Sequence, residues 1–111
     1  MKIPWQNYND VTVVELRGDL EGDSAEPLRS AITEIIAGPR AGIVLNLSEV
    51  EFIDSQGLEL LLWVSDYCRQ NRVPLRLAGL AENCIKILEI TRLQDEFDCH
   101  AELAEAVRSF A

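Results

Sequence analysis

Residues 42–58 have the sequence GIVLNLSEVEFIDSQGL, in which an apolar run is followed by acidic residues, a serine and a glycine. Residues 42–47 form a short apolar run, which predicts a buried strand. Asp54 and Ser55 precede a segment with helical periodicity, and both residue types are preferred at helix N-termini. The stretch therefore predicts a strand, a loop over residues 48–54 and a helix over residues 55–71.

Strand and helix patterns alternate on both sides of this stretch. Val11–Arg17 is rich in β-branched residues and predicts a strand, and residues 2–6 predict a weaker strand paired with it. Pro4 confines that weaker strand to an edge of the sheet. Similar patterns predict helices over residues 24–37, 81–91 and 102–110 and strands over residues 73–78 and 97–99. This order is typical of an α/β chain with a mostly parallel sheet of four to five strands and about four helices.

Length and charge limit what the chain can bind. Its 111 residues predict a single domain spanning residues 1–111. The 10 Lys and Arg against 19 Asp and Glu give a net charge of −9, which argues against nucleic acid or an anionic membrane as partner and favours a monomer. The longest apolar run, residues 60–64, is far shorter than the ~20 residues that span a bilayer, and no signal peptide is evident. Three widely spaced cysteines are typical of reduced thiols, so we expect a cytoplasmic protein that does not insert into membranes.

The loops at one edge of the predicted sheet carry unusual chemistry. Because parallel strands end at the same edge, residues 18–23, 48–54 and 79–80 should gather there. The first loop holds three carboxylates, which are Asp19, Glu21 and Asp23. The second delivers Ser55 to the positive end of a helix dipole, where a phosphate on its hydroxyl would be stabilised. An Asp-Ser-x-Gly sequence is more often only a helix cap, so capping is the alternative to phosphorylation.

A nucleophilic serine is the enzymatic alternative. The nucleophile elbow needs Gly-x-Ser-x-Gly, but Ile53 stands where the first glycine belongs. His100 is the one histidine that could act as a base, and the sequence offers it no evident orienting partner. The chain also lacks the spacing of a calcium loop and the glycine patterns of nucleotide sites. We therefore expect no catalysis, no metal and no cofactor.

Residues 43–58 closely resemble the signature of the STAS domain, the family of anti-sigma factor antagonists. Gly18-Asp19-Leu20-Glu21 resembles the family's turn after an early strand, residues 87–93 resemble its third-helix region, and Ala106 matches a small residue of its last helix. The resemblance covers nearly the whole chain and implies the STAS fold. Three residues depart from the family pattern, namely Glu21 for the usual Asp, Asn46 for a frequent Asp and Arg92 for a frequent Gly.

The resemblance also implies a partner switch. In the family, the serine at the position of Ser55 is phosphorylated by an anti-sigma factor that is also a serine protein kinase. The unphosphorylated form binds this kinase and frees the sigma factor, and a PP2C-type serine phosphatase resets the switch. The residues that we expect to contact the partner around Ser55 are Asp19, Glu21, Asp23, Asp54, Gln56, Gly57 and Glu59. The alternative within the same family is a soluble STAS subunit of a membrane transport system of the phospholipid ABC type.

The helix predicted over residues 55–71 has a second apolar face. At ~100° per residue, the face that covers the sheet should consist of Leu58, Leu61, Leu62, Ser65 and Cys68. Leu60, Trp63 and Tyr67 then fall on the opposite side, where a surface helix should be polar. Packing against a neighbouring helix would explain this stripe. The alternative is a docking stripe for the partner, since exposed aromatic residues are typical of interface hot spots.

Overall fold

The structure, a computed structural model, describes residues 3–39 and 42–110 of the chain. This part forms an α/β domain with five strands and four α-helices. The strands are β1 (Trp5–Tyr8), β2 (Val11–Arg17), β3 (Gly42–Glu49), β4 (Leu75–Ala78) and β5 (Cys99–His100). The helices are α1 (Ala25–Ala37), α2 (Ser55–Gln70), α3 (Glu82–Ile90) and α4 (Leu103–Arg108). Single turns of 3-10 helix at Gly22–Ser24 and Gln94–Glu96 precede α1 and β5.

The five strands form one mixed sheet in the order β1-β2-β3-β4-β5. β1 runs antiparallel to β2 at the edge, and the other three pairs are parallel. The predicted α/β class and the mostly parallel sheet are therefore confirmed. Since β2, β3, β4 and β5 run in the same direction, the loops that follow them lie at one edge of the sheet.

Both faces of the central strands are buried. On one face, side chains such as Leu45 and Leu77 pack with α1, α2 and α3 in the main core. On the other face, Val13 and Val44 form a smaller cluster with Ala106 of α4. This double coverage explains why residues 43–47 are apolar except for Asn46, whose Nδ2 donates to a Glu15 carboxylate oxygen at 3.1 Å, without the alternation of a half-exposed strand.

Arg76 and Phe110 hold the segment that contains α4 against the sheet face of the smaller cluster. The Phe110 ring lies so close to Gly42 that a Cβ at this glycine would overlap it. The guanidinium of Arg76 stands 4.5 Å from the centre of the same ring. Arg76 Nε also donates to Ser109 Oγ at 3.2 Å and lies 2.9 Å from a carboxylate oxygen of Asp98. One side chain of β4 therefore ties together the end of the chain and the entry to β5.

The first strand lies later in the chain than predicted. It spans Trp5–Tyr8 rather than residues 2–6, and Lys2 lies outside the described residues. The reason is the turn, because Asn9 adopts a left-handed conformation (φ 58°) and closes a tight connection to Val11. The pairing with β2 and the edge position agree with the prediction.

Two other strands begin later than predicted for similar local reasons. β4 begins at Leu75, since Pro74 has no N–H to donate to the sheet. The last strand covers Cys99–His100 rather than residues 97–99, because a 3-10 turn ends at Glu96 and the Phe97 side chain is buried in the core. The loop after β3 is shorter than predicted, since that strand continues to Glu49.

Candidate functional site

The two loops singled out in the sequence are joined through their backbones. Leu20 pairs with Ile53 in an isolated parallel bridge. The Leu20 N–H donates to the Phe52 carbonyl at 3.0 Å, and the Asp54 N–H donates to the Leu20 carbonyl at 3.1 Å. The Gly18 N–H adds a bond of 3.1 Å to the Glu49 carbonyl. The loops therefore form a single surface at the edge of the sheet, which we call the switch surface (residues 18–23 and 50–57).

Asp54 and Ser55 have separate roles at the start of α2. Asp54 has an extended backbone (φ −90°, ψ −176°) and is the N-cap, because its Oδ1 accepts the Gly57 N–H at 2.8 Å. Ser55 is the first residue of the helix, and its side chain is exposed. The capping function that sequence could assign to either residue therefore falls to Asp54. The Ser55 hydroxyl stands at the positive end of the helix dipole, open to solvent.

Gly57 and Gln56 hold the start of α2 against the first loop. A Cβ on Gly57 would overlap the backbone carbonyl of Leu20, so only glycine permits this approach. The close approach that Gly57 permits is therefore with the first loop of the same chain. Gln56 is exposed, and its side-chain amide lies against Gly22 of the first loop.

Exposed carboxylates lie on the switch surface and on the next turn of α2. Asp19, Glu21, Asp23 and Glu59 are all exposed, and none of them forms an ion pair within the described part of the chain. The first loop is held by Ser24, whose hydroxyl donates to the Asp19 carbonyl at 3.2 Å and accepts the Glu21 N–H at 3.3 Å. Across residues 3–39 and 42–110, no group of three or more His, Cys, Asp or Glu side chains is placed to hold a metal ion.

Phe52 also belongs to the switch surface, although it was not among the site residues predicted from the sequence. Its side chain is 51% exposed although it is a large aromatic residue two positions before the cap. Ile53, the next residue, is buried. In an extended segment the side chains alternate, so burial of Ile53 in the core turns Phe52 outward. The signal that could have found it is this alternation within the loop after β3.

The buried face of α2 differs from the predicted one. Leu60 is 1% exposed and belongs to the main core, so its assignment to the outer, partner-binding stripe is wrong. The buried face is rotated because α2 packs against α1 as well as against the sheet. Trp63 and Tyr67 are half-buried and stack on each other, with ring centres 5.0 Å apart and planes 9° apart. The guanidinium of Arg29 on α1 lies 5.5 Å from the centre of the Trp63 ring, which favours the packing explanation for these two residues.

His100 lies away from Ser55. It is on β5, two strands from the strand that leads to Ser55. Its Nε2 is 3.2 Å from Asp98 and its Nδ1 is 3.8 Å from Glu105. His100 therefore has two acidic neighbours that the sequence did not reveal, one just before β5 and the other on α4.

A helix that starts at Asp-Ser-x-Gly after the third strand, beside a sheet of this order, defines an α/β domain of the STAS class. A family model of the STAS domain matches residues 2–106. The chain therefore belongs to the STAS domain family, and the resemblance inferred from residues 43–58 is confirmed. None of the helices in the described part of the chain is long and apolar enough to cross a membrane.

Relatives and solved structures agree with this assignment. The anti-sigma-B factor antagonist of Bacillus subtilis is 30% identical over 97 residues, which cover 87% of either chain. The anti-sigma-F factor antagonist RsfB of Mycobacterium tuberculosis is 31% identical over 86 residues, which are 67% of this chain and 70% of RsfB. An anti-sigma factor antagonist from Mycobacterium paratuberculosis has a TM-score of 0.86 at 22% identity, covering 98% of this chain and 92% of its own. Unphosphorylated SpoIIAA has a TM-score of 0.77 at 20% identity, covering 96% and 95%, so both structures share the fold.

Proposed function

We propose that this protein is a cytoplasmic anti-sigma factor antagonist that acts by binding a partner and not by catalysis. It binds an anti-sigma factor while Ser55 is unmodified, and the sigma factor held by that protein is released. The observation that carries the proposal is the exposed Ser55 at the first residue of α2, beside a cap supplied by Asp54. The relatives from B. subtilis and M. tuberculosis, both anti-sigma factor antagonists, support it.

Phosphorylation of Ser55 is the proposed control. A phosphate adds about 1.5 to 2 negative charges at neutral pH, on a surface that already presents several exposed carboxylates. The N-terminus of α2 stabilises such a charge, so the modification leaves the helix in place. A partner that docks over Ser55 then meets added charge and bulk, and it dissociates. The kinase in this scheme is the anti-sigma factor itself, a serine protein kinase, and a PP2C-type serine phosphatase reverses the modification.

The residues around Ser55 have different roles in the proposed binding. Asp19, Glu21, Asp23 and Glu59 are free to meet basic side chains of the partner, since no other described residue neutralises them. Asp54 and Gly57 act through the backbone, because they fix the start of α2 on the first loop. Gln56 is exposed between the two loops and offers a neutral hydrogen-bonding group beside Ser55.

The sequence also left open a soluble subunit of a transport system. The two relatives described above are both regulators of sigma factors, which favours the first hypothesis. A permease and an ATPase as binding partners would instead be expected of a transport subunit.

The proposal can be tested by calorimetry. The protein is titrated with each purified anti-sigma factor of the source organism in turn, and the affinities of the variants are compared. Ser55→Ala adds no charge and should keep the wild-type affinity for the matching anti-sigma factor. Ser55→Asp adds charge where the phosphate would stand and should weaken binding by at least about tenfold, or 1.4 kcal/mol. Ser30→Asp places the same charge on an exposed position of α1 and serves as the matched control.

Two results would count against the proposal. If the wild type binds none of the anti-sigma factors, the antagonist function is wrong. If Ser55→Asp binds as tightly as Ser30→Asp, the antagonist function stands but control by charge at Ser55 is wrong.

A further inference from the structure

An apolar groove lies between α3 and β5, next to the switch surface. It has a volume of about 380 Å³. The side chains that line it include Leu80, Ile85, Leu88, Glu89, Cys99 and His100. Ile85 is 45% exposed although it is a large aliphatic residue on a surface helix. Such a partly open apolar groove is typical of a site that receives an apolar side chain.

Buried contacts of α3 and of the turn before it connect the elements that line the groove to the loop that leads to Ser55. Cys84, the neighbour of Ile85, places its Sγ 3.6 Å from the Val50 carbonyl in the loop that leads to Ser55. Gly79 has a left-handed backbone (φ 71°), and a Cβ there would come within 3.1 Å of Ser48 at the end of β3. The Gly79 N–H donates to the His100 carbonyl at 3.1 Å, which ties the same turn to β5. A partner that covers Ser55 therefore meets the groove along the same edge of the sheet.

The charge of this edge indicates what kind of partner fits it. The four loops that follow β2, β3, β4 and β5 are residues 18–23, 50–54, 79–81 and 101–102. They contain six carboxylates and neither Lys nor Arg. Phe52 adds an exposed aromatic ring between the acidic residues. The complementary surface is basic at its rim and carries a protruding apolar side chain.

We propose that the groove between α3 and β5 is a second docking point for the anti-sigma factor, whose apolar side chain inserts beside Ile85 while its basic residues face the acidic loops. This inference rests on the proposed function and extends it, because it makes the partner contact two points, the switch at Ser55 and an anchor at the groove. In this proposal phosphorylation does not change the charge of the groove itself. The groove supplies contact area, and the phosphate at Ser55 decides whether that area is used.

Two isoleucines on α3 provide a matched pair for the test. Ile85 lines the groove, whereas Ile90 is 80% exposed on the same helix and is not among the groove residues. Ile85→Lys and Ile90→Lys add the same charge, so any common effect of charge cancels between them. Calorimetry with the purified anti-sigma factor that binds the wild type should give at least about a tenfold loss for Ile85→Lys, as expected for a lost anchor, and a loss below about threefold for Ile90→Lys.

The cysteines allow a second measurement on the unmutated protein. Cys99 is exposed in the groove, whereas Cys68 and Cys84 are buried and serve as internal references. The anti-sigma factor should slow alkylation of Cys99 by N-ethylmaleimide, and it should fail to do so when Ser55→Asp replaces the wild type.

The outcomes separate this inference from the proposed function. If Ser55→Asp loses the partner while both Lys variants keep it and Cys99 reacts at an unchanged rate, the groove is not part of the interface and the proposed function stands. Equal losses for Ile85→Lys and Ile90→Lys would also overturn the anchor, since charge alone would explain them. If no anti-sigma factor binds the wild type, the proposed function fails and the anchor fails with it.

Discussion

At the scale of single residues, the start of α2 has a carboxylate that caps the helix, Asp54, and an exposed hydroxyl that does not, Ser55. Asp54 accepts the Gly57 N–H and satisfies the helix, so Ser55 is free of the capping task and remains exposed. Sequence alone could place both residues at the helix start but could not assign the cap to one of them. The assignment depends on the extended backbone of Asp54, which follows from its bond to Leu20 in the first loop.

Replacing the two side chains in turn tests this division. Asp54→Ala removes the cap and should lower the free energy of unfolding by about 1 kcal/mol. Asp54→Asn keeps an oxygen acceptor and should cost less. Ser55→Ala should change stability by less than about 0.5 kcal/mol, as for an exposed residue without a structural role. Urea denaturation measures all three, and equal losses for Asp54→Ala and Ser55→Ala would contradict the assignment.

Gly57 and Gly22 offer a second comparison at this scale. An added methyl group at Gly57 meets the Leu20 backbone, whereas at Gly22 it meets only the flexible end of the Gln56 side chain. Gly57→Ala should therefore lower the free energy of unfolding by about 2 kcal/mol or more, and Gly22→Ala by less than about 1 kcal/mol. Thermal and urea denaturation of both variants check this. Two variants of equal stability would mean that the contact between α2 and the first loop is not tight.

At the scale of elements, the strands and helices were largely predictable because apolar periodicity reflects burial. β2 agrees with its prediction at both ends, and α1 and α2 agree within one residue. β1 was misplaced because the turn at Asn9 is set by backbone conformation and not by hydrophobicity. Leu60 was assigned to the wrong face because a helical wheel considers one helix alone, whereas α2 also packs against α1. The proximity of the loops at residues 18–23 and 48–54 could be predicted, because both follow parallel strands. The contacts of Gly57 and Gln56 and the exposure of Phe52 could not, because they depend on tertiary packing.

Trp63 tests whether the stripe on α2 is used for packing or for docking. The ring is half-buried, stacks on Tyr67 and lies near Arg29, so Trp63→Ala should lower the free energy of unfolding by about 1 to 3 kcal/mol. Its affinity for the anti-sigma factor should stay within about threefold of the wild type. Denaturation and calorimetry on the same preparation measure both quantities. Weaker binding at unchanged stability would instead restore the docking stripe that the sequence suggested for Trp63 and Tyr67.

At the scale of the whole molecule, the buried thiols should make the free energy of unfolding decrease as the pH becomes alkaline. Burial raises the pKa of Cys68 from 9.0 to about 11, and it raises the pKa of Cys84 as well. The folded protein holds the Cys68 proton more tightly than the unfolded chain does. This contribution to stability is therefore complete below about pH 9 and is lost as the pH rises through 11.

The expected loss from Cys68 between pH 8 and pH 11 is about 2 to 3 kcal/mol in the free energy of unfolding. Cys68→Ala should be less stable than the wild type at pH 8, because it leaves a cavity in the core. Its stability should fall less steeply towards pH 11, since the titrating thiol is gone and the other groups are the same in both proteins. Urea denaturation at four pH values measures the two slopes, and identical slopes would contradict the role of Cys68.

The distribution of charge indicates which side of the molecule should attract a basic partner. The net charge is −9, and six carboxylates lie in the loops at the edge where Ser55 is exposed. Attraction of a basic partner to this edge should weaken as salt increases, because exposed charges are screened. In the function that we propose, a phosphate at Ser55 would add to the negative charge already present there and exceed what the partner can neutralise.

Our proposal is that charge at Ser55 decides whether the anti-sigma factor is bound. Its most direct test is a calorimetric comparison of the unmodified protein with the same protein carrying phosphoserine at position 55, each titrated with the purified anti-sigma factor. We expect tight binding of the unmodified form and a loss of affinity of at least about a hundredfold on phosphorylation, or some 2.7 kcal/mol. Equal affinity of the two forms would contradict it.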